Sequence, residues 1–122
     1  MAKILIADDS ATDVKFIMSV LAVTRHSISI ARDGEEAEKM IRGEPFDLVI
    51  LDVVMPKKNG FELCREMKKD EKLKKIPVII LSSKGQESDK LWGHKQGADE
   101  YLTKPCIPKD LLLAVNRYLK NE

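Results

Sequence analysis

The sequence predicts an α/β fold, a (βα)5 doubly wound parallel sheet of five strands with helices on both faces. Three observations predict it. Short β-branched runs recur at residues 3–7, 27–31, 47–51, 77–81 and 99–103, and their starts lie 24, 20, 30 and 22 residues apart, room for a strand, a helix and two turns each time. The stretches between them carry helical periodicity. The runs themselves are almost wholly apolar, as strands are when helices cover both faces of a parallel sheet.

Taken in order, strand one is Lys3-Ile4-Leu5-Ile6-Ala7, followed by a helix whose Val14, Ile17, Met18 and Leu21 share a face. Strand two ends in Ala31-Arg32-Asp33, and the second helix aligns Ala37, Met40 and Ile41. Strand three leads into Asp52, a loop with Met55-Pro56 and Gly60, and a helix striped by Leu63, Cys64 and Met67. Strand four ends at Ser82-Ser83 before a helix that carries Trp92, and strand five leads to Lys104-Pro105. Pro108 and Asp110 open the last helix, with Leu111, Leu112, Val115 and Leu119 on its inner face.

The 122 residues and 13.8 kDa suit one domain; 43% of them are hydrophobic and 34% charged, a globular composition. Lys and Arg total 21 against 20 Asp and Glu, a net charge of +1, so no global field recruits nucleic acid or an anionic membrane. No apolar run is long enough to cross a bilayer, and Asp8 and Asp9 interrupt the start before a secretory segment could develop. A soluble, cytoplasmic domain is expected. Cys64 and Cys106 lack metal or redox spacing and read as small apolar residues. His26 and His94 stand alone, which argues against a zinc enzyme and a histidine triad. The basic excess over residues 65–75 reads as a solvated helix end.

Ligands of open α/β sheets bind outside the carboxyl ends of the strands, near the reversal of strand order. With strand two at an edge and the order 2-1-3-4-5, Asp8, Asp9, Asp52, Ser82 and Lys104 converge on one edge of the sheet. Three carboxylates in one place repel and need compensation, which Mg²⁺ and Lys104 would supply. A carboxylate so placed can act as a nucleophile toward phosphorus. Asp9 and Ser10 have a second reading as caps of the first helix, and Asp52 one as a strand-end turn residue.

The motifs Ile4-Leu5-Ile6-Ala7-Asp8-Asp9-Ser10, Leu51-Asp52-Val53-Val54-Met55-Pro56 with Gly60, Leu81-Ser82-Ser83, and Gly97-Ala98 through Tyr101 to Lys104-Pro105 resemble a CheY-like response-regulator receiver domain. The resemblance runs over essentially the whole chain, 1–122, as one receiver of flavodoxin-like fold with no output domain. Residues 76–84 and 86–90, with Trp92-Gly93 and Gln96-Gly97-Ala98, are similar to stand-alone receivers of pilus-associated, chemotaxis-like systems that control twitching or gliding motility. The resemblance implies Asp52 as the phosphoacceptor for a histidine kinase. It implies Mg²⁺ held by Asp8, Asp9, Asp52 and the backbone carbonyl of Val54, and Ser82 and Lys104 as phosphoryl partners. Tyr101 takes the aromatic switch position, and Lys104-Pro105 resembles the family's cis peptide. The protein is then no enzyme beyond its own phosphotransfer and autodephosphorylation.

Output is expected at helix four, strand five and helix five, near Lys90, Trp92, Tyr101 and Ile107, read by another protein and not by nucleic acid. Trp92 either anchors such a partner or packs against strand five. A flavodoxin-type cofactor site is disfavoured because Asp8-Asp9 would repel its phosphate unless a metal intervened, and a haloacid-dehalogenase site is excluded because Val54 stands where a second aspartate belongs. A constitutive interaction module is the remaining rival. Val54 has no hydrogen-bonding side chain with which to place a hydrolytic water, and Lys84 either pairs with phosphoryl oxygens or lies in solvent; a long-lived phosphoryl state is expected.

Overall fold

A computed structural model describes residues 1–119. Its elements are β1 (Lys3–Ala7), α1 (Ala11–Leu21), a 3₁₀ turn (Ala22–Thr24), β2 (Ser27–Ala31), α2 (Gly34–Gly43), β3 (Leu48–Leu51), α3 (Gly60–Lys69), β4 (Val78–Ser82), α4 (Glu87–Lys95), β5 (Glu100–Thr103) and α5 (Pro108–Tyr118). The five strands are all parallel, in the order β2-β1-β3-β4-β5, the expected arrangement. Among the described residues no helix is long and apolar enough to cross a membrane.

Strand boundaries shift by one residue where side chains or proline intervene. Asp47 stays outside β3 because its carboxylate accepts from the Lys3 N–H (2.8 Å) while its own N–H donates to the Lys3 carbonyl. Pro77 has no N–H to give the ladder, so β4 starts at Val78 and runs on to Ser82, which pairs with Thr103. Asp99 precedes β5 because its carboxylate accepts from Val78 N–H at 2.8 Å.

Alternation along the strands divides the apolar side chains between two cores. Leu5, Ala7, Val49, Leu51, Val78 and Ile80 face α2 and α3, which return Ala37, Ile41, Leu63, Cys64 and Met67. Ile4, Ile6, Leu48, Ile50, Ile79 and Leu81 face α1 and α5, with Val14, Ile17, Leu21, Leu111, Ala114 and Val115. Met18 leaves its predicted stripe and is 41% exposed. It lies one step round the helix from Ile17, and the core takes only the narrower Val14–Ile17–Leu21 seam. Cys64 is buried, and that burial pushes its thiol up to about 11. His26 accepts a hydrogen bond from the Ala2 N–H, and His94 sits in the last turn of α4 with Nδ1 against the Ala98 carbonyl, both structural roles.

Helix starts are fixed by their caps. Ser10, Asp33 and Asn59 accept from the N–H groups of Asp13, Glu36 and Glu62. The loop after β3 is also clamped from one side: Gly34 N–H donates to the Pro56 carbonyl, and Lys58 Nζ bridges Glu38 of α2 (2.7 Å) and Glu66 of α3. By contrast α4 buries only Gly93 of its nine residues, so its hold on the body is weak.

Gly60 sits where the chain turns from this loop into α3. A Cβ there would stand 2.1 Å from the Asp52 carbonyl oxygen, whereas at Gly43 it would meet nothing within 4 Å. Gly60→Ala should therefore cost about 3 kcal/mol or more of unfolding free energy. Gly43→Ala should be neutral or stabilising by up to ~1 kcal/mol. Urea titration of the two variants checks the contrast.

Candidate functional site

The carboxyl ends of β1, β3, β4 and β5 open onto one edge of the sheet, and the residues just past them meet there. Asp8 follows β1; its N–H donates to the Ala31 carbonyl, and only 1% of the residue is exposed. Asp52 follows β3, its N–H donating to the Ala7 carbonyl at 2.9 Å, so the two carboxylates are set by adjacent strands. Lys104 follows β5, its N–H donating to the Ser82 carbonyl, and the peptide to Pro105 is cis.

One ammonium organises the carboxylates. Lys104 Nζ donates to Asp8 Oδ2 at 2.9 Å, to Asp52 Oδ2 at 3.1 Å and to Asp13 Oδ2 at 2.7 Å. The second oxygen of Asp8 accepts from Ser10 N–H (2.9 Å), and that of Asp52 from Val53 N–H (2.7 Å). Asp9 is exposed beside them, and oxygen atoms of Asp8, Asp9 and Asp52 lie within 4.8 Å of one another. The cap of α1 falls to Ser10, which leaves Asp9 free of that duty.

Burial and charge act in opposite senses here. Burial raises the Asp8 carboxyl above its ordinary value and is the largest influence on it, outweighing the lowering by the Ser10 N–H and Lys104. Burial alone would lower Lys104, but its hydrogen bonds to Asp13, Asp8 and Asp52 outweigh this and hold it above the ordinary lysine value. Asp13 is the residue that sequence reasoning missed. Its signal was positional: it stands four residues after Asp9, in the first turn of the helix that starts at the cluster.

A second group lies behind the first. Ser82 is fully buried and its Oγ accepts from Lys84 N–H at 3.3 Å. The Lys84 carbonyl in turn accepts from the Tyr101 hydroxyl at 2.6 Å. Burial, with Asp89 and Asp52 nearby, pushes the Tyr101 phenol up to about 12, so it stays a donor. The Lys84 side chain is 46% exposed and leans toward Asp89 of α4, at 4.0 Å.

The expected partner face is reached only in part by the residues named for it. Trp92 is 48% exposed and Ile107 62%, and Lys90 is half-buried. Trp92 does not pack away against β5 because Gly93 takes that position, its Cα close to the Tyr101 ring. Tyr101 is buried beneath the face, its ring tilted 32° to that of Phe61 at 6.5 Å between centroids, and so lies under the expected surface without forming it. Leu91, 65% exposed, is an apolar member the sequence reading passed over.

A parallel sheet in this order, with clustered acids and a lysine at its carboxyl edge, defines a class, and the chain belongs to it: residues 4–116 match the response regulator receiver domain family. Among individual proteins it is similar to Protein PilH of Pseudomonas aeruginosa, 43% identical over 119 residues that cover 98% of each chain. It spans about half the length, 45% to 48%, of other curated relatives it matches. Its fold is similar to that of a response regulator from Chloroflexus aurantiacus (TM-score 0.92, 32% identity, 97% of each chain). It is also similar to the chemotaxis response regulator CheY4 of Vibrio cholerae (TM-score 0.89, 32% identity, 98% of this chain and 99% of that one).

The raised Asp8 carboxyl has a pH signature. Its native form holds a proton more tightly than the unfolded chain does, so its favourable contribution is complete below about pH 3.8, its ordinary value. That contribution is lost as pH rises through the higher native value. In metal-free protein the stability of Asp8→Asn relative to wild type should therefore rise with pH across this window and then level off. Urea melts from pH 4 upward measure the difference; a flat one would mean that burial does not govern Asp8.

Proposed function

We propose that this receiver domain is a phosphorylation switch in which Asp52 accepts a phosphoryl group from the phosphohistidine of a histidine kinase. The observation that carries the reading is the single Lys104 ammonium within hydrogen-bonding distance of both Asp8 and Asp52, with Asp9 completing a group of oxygens inside 4.8 Å. Hard carboxylate donors in excess over the one cation fit Mg²⁺, which Asp8, Asp9, Asp52 and the Val54 carbonyl would hold. Bound there, the metal would supply charge neutralisation for the transferring group.

The chain's own residues do the rest. An oxygen of Asp52 donates an electron pair to form the O–P bond, the P–N bond to the kinase histidine breaks, and the imidazole leaves with the electrons of that broken bond. Lys104 neutralises charge on the phosphoryl oxygens. Val53 N–H and the strand pairing of Asp52 hold the acceptor in place. The Ser82 hydroxyl turns from Lys84 N–H to a phosphoryl oxygen, which releases one end of a loop segment whose other tie is Tyr101 to the Lys84 carbonyl. This biases a two-state surface comprising α4, β5 and α5, where Trp92, Leu91 and Ile107 await a protein partner.

The rival constitutive module is less well supported, since it gives the buried Asp8–Lys104–Asp52 arrangement no task. Action as a stand-alone cytoplasmic receiver in motility or chemotaxis-like control is supported by the motif resemblance and by the match along 98% of PilH.

Acetyl phosphate with Mg²⁺ should add one phosphoryl group to the wild type and none to Asp52→Asn, as intact mass spectrometry would show. Modification of the variant would place the nucleophile elsewhere. The lifetime of the product is a separate matter. The side chain of Val54, a residue 59% exposed and two positions after the acceptor, has no polar atom to place a water. Val54→Asn should speed hydrolysis roughly five- to tenfold, the worth of one hydrogen bond in the transition state. Timed loss of phosphate from both proteins, Mg²⁺-saturated, checks it.

A further inference from the structure

Asp13 touches this site and the phosphoacceptor reading gives it no task. Its carboxylate, 40% exposed on the first turn of α1, makes the shortest of the three contacts to Lys104, at 2.7 Å against 2.9 Å for Asp8 and 3.1 Å for Asp52. On the same side a cavity of about 250 Å³, lined by Phe16, Ile17, Leu81 and Pro105, leaves the lysine stem room to move away from Asp52. The four carboxylates of Asp8, Asp9, Asp13 and Asp52 against one ammonium give a formal local charge of −3. A phosphoryl donor arrives with roughly two more negative charges.

We propose that Asp13 is a positioning residue that draws Lys104 back from Asp52 and so brakes arrival of the phosphoryl group. This rests on Asp52 being the acceptor. With acetyl phosphate, an Asp52 oxygen bonds to phosphorus, the bond from phosphorus to the acetyl oxygen breaks, and acetate leaves with the electron pair. That step brings a dianion into an acidic mouth, where Asp13 repels it and competes for the one cation that would meet it. Loss of the phosphoryl group brings only neutral water: its oxygen bonds to phosphorus, the bond to Asp52 breaks with its electron pair returning to the carboxylate, and both water protons leave with inorganic phosphate. Asp13 therefore weighs on arrival and much less on loss.

The test uses full-length wild type, Asp13→Asn, Asp13→Glu and, as a control for charge on another helix start, Asp110→Asn. Acetyl phosphate at sub-saturating concentration with saturating Mg²⁺ gives the second-order rate of phosphorylation, and donor removal gives the rate of loss. Asp13→Asn should be phosphorylated about three- to tenfold faster, the effect of one partly screened unit charge. Its rate of loss should stay within about twofold, and the gain should shrink as salt is raised. Asp13→Glu should behave as wild type and Asp110→Asn should show no gain. In metal-free protein the Lys104 ε-carbon resonance should move in Asp13→Asn and not in Asp110→Asn. Equal or slower phosphorylation of a folded Asp13→Asn overturns the proposal, as does a parallel rise in its rate of loss or an equal gain in Asp110→Asn. Absence of any phosphorylation in wild type would instead sink the acceptor reading, whatever the Lys104 resonance does.

Discussion

The crowding of like charges at the carboxyl edge of the sheet is the constraint from which the rest of this molecule follows. A parallel sheet covered by helices on both faces leaves its strand ends as the place where polar chemistry meets water. Here β1 and β3 are neighbours, so Asp8 and Asp52 are brought together by backbone pairing before any side chain chooses a partner. The resulting repulsion is offset by Lys104, delivered from β5 on the far side of β4. The burial that makes Asp8 reluctant to ionise is the same burial that would make a bound cation effective.

Behind the charges the architecture is asymmetric. Ser82, Lys84 and Tyr101 form a short relay of two hydrogen bonds from the sheet edge to the underside of α4. That helix contributes one buried glycine and leaves Leu91 and Trp92 in water, so little apolar area resists its displacement. Tyr101 fills the space a side chain at Gly93 would need, its ring 2.6 Å from where a Cβ would stand, so helix and ring cannot move independently.

Most of this was legible in the amino-acid order. Apolar runs at regular intervals located every strand to within a residue, and the errors came from particular atoms: the missing N–H of Pro77, and the Asp47 and Asp99 carboxylates that bond across to neighbouring strands. Asp8, Asp9, Asp52, Ser82 and Lys104 stood out because strand ends are identifiable in one dimension. Asp13 did not, since its contact with Lys104 depends on how α1 is set against the β5–α5 connection. Nor could periodicity tell that Tyr101 would be buried beneath Gly93 of α4 or that Met18 would leave its stripe; both depend on how the helices are set against the sheet. Family resemblance gave roles to residues that spacing alone left open, Tyr101 above all.

The Lys58 clamp gives the molecule a stiff side and a compliant one. The loop that leaves Asp52 is riveted to α2 and α3 by Lys58 with Glu38 and Glu66, and by the Gly34–Pro56 hydrogen bond. Among the described residues, the loop that leaves Ser82 is tied to the sheet by the relay described above, while its other side-chain ties, Lys84 and Gln86 to Asp89, run to α4 itself. Under the proposed switch, a push applied at the strand ends would meet a wall on one flank and a hinge on the other, and would be rectified toward α4. Directionality would then be a matter of unequal spring constants, built from two ion pairs on the opposite flank from α4.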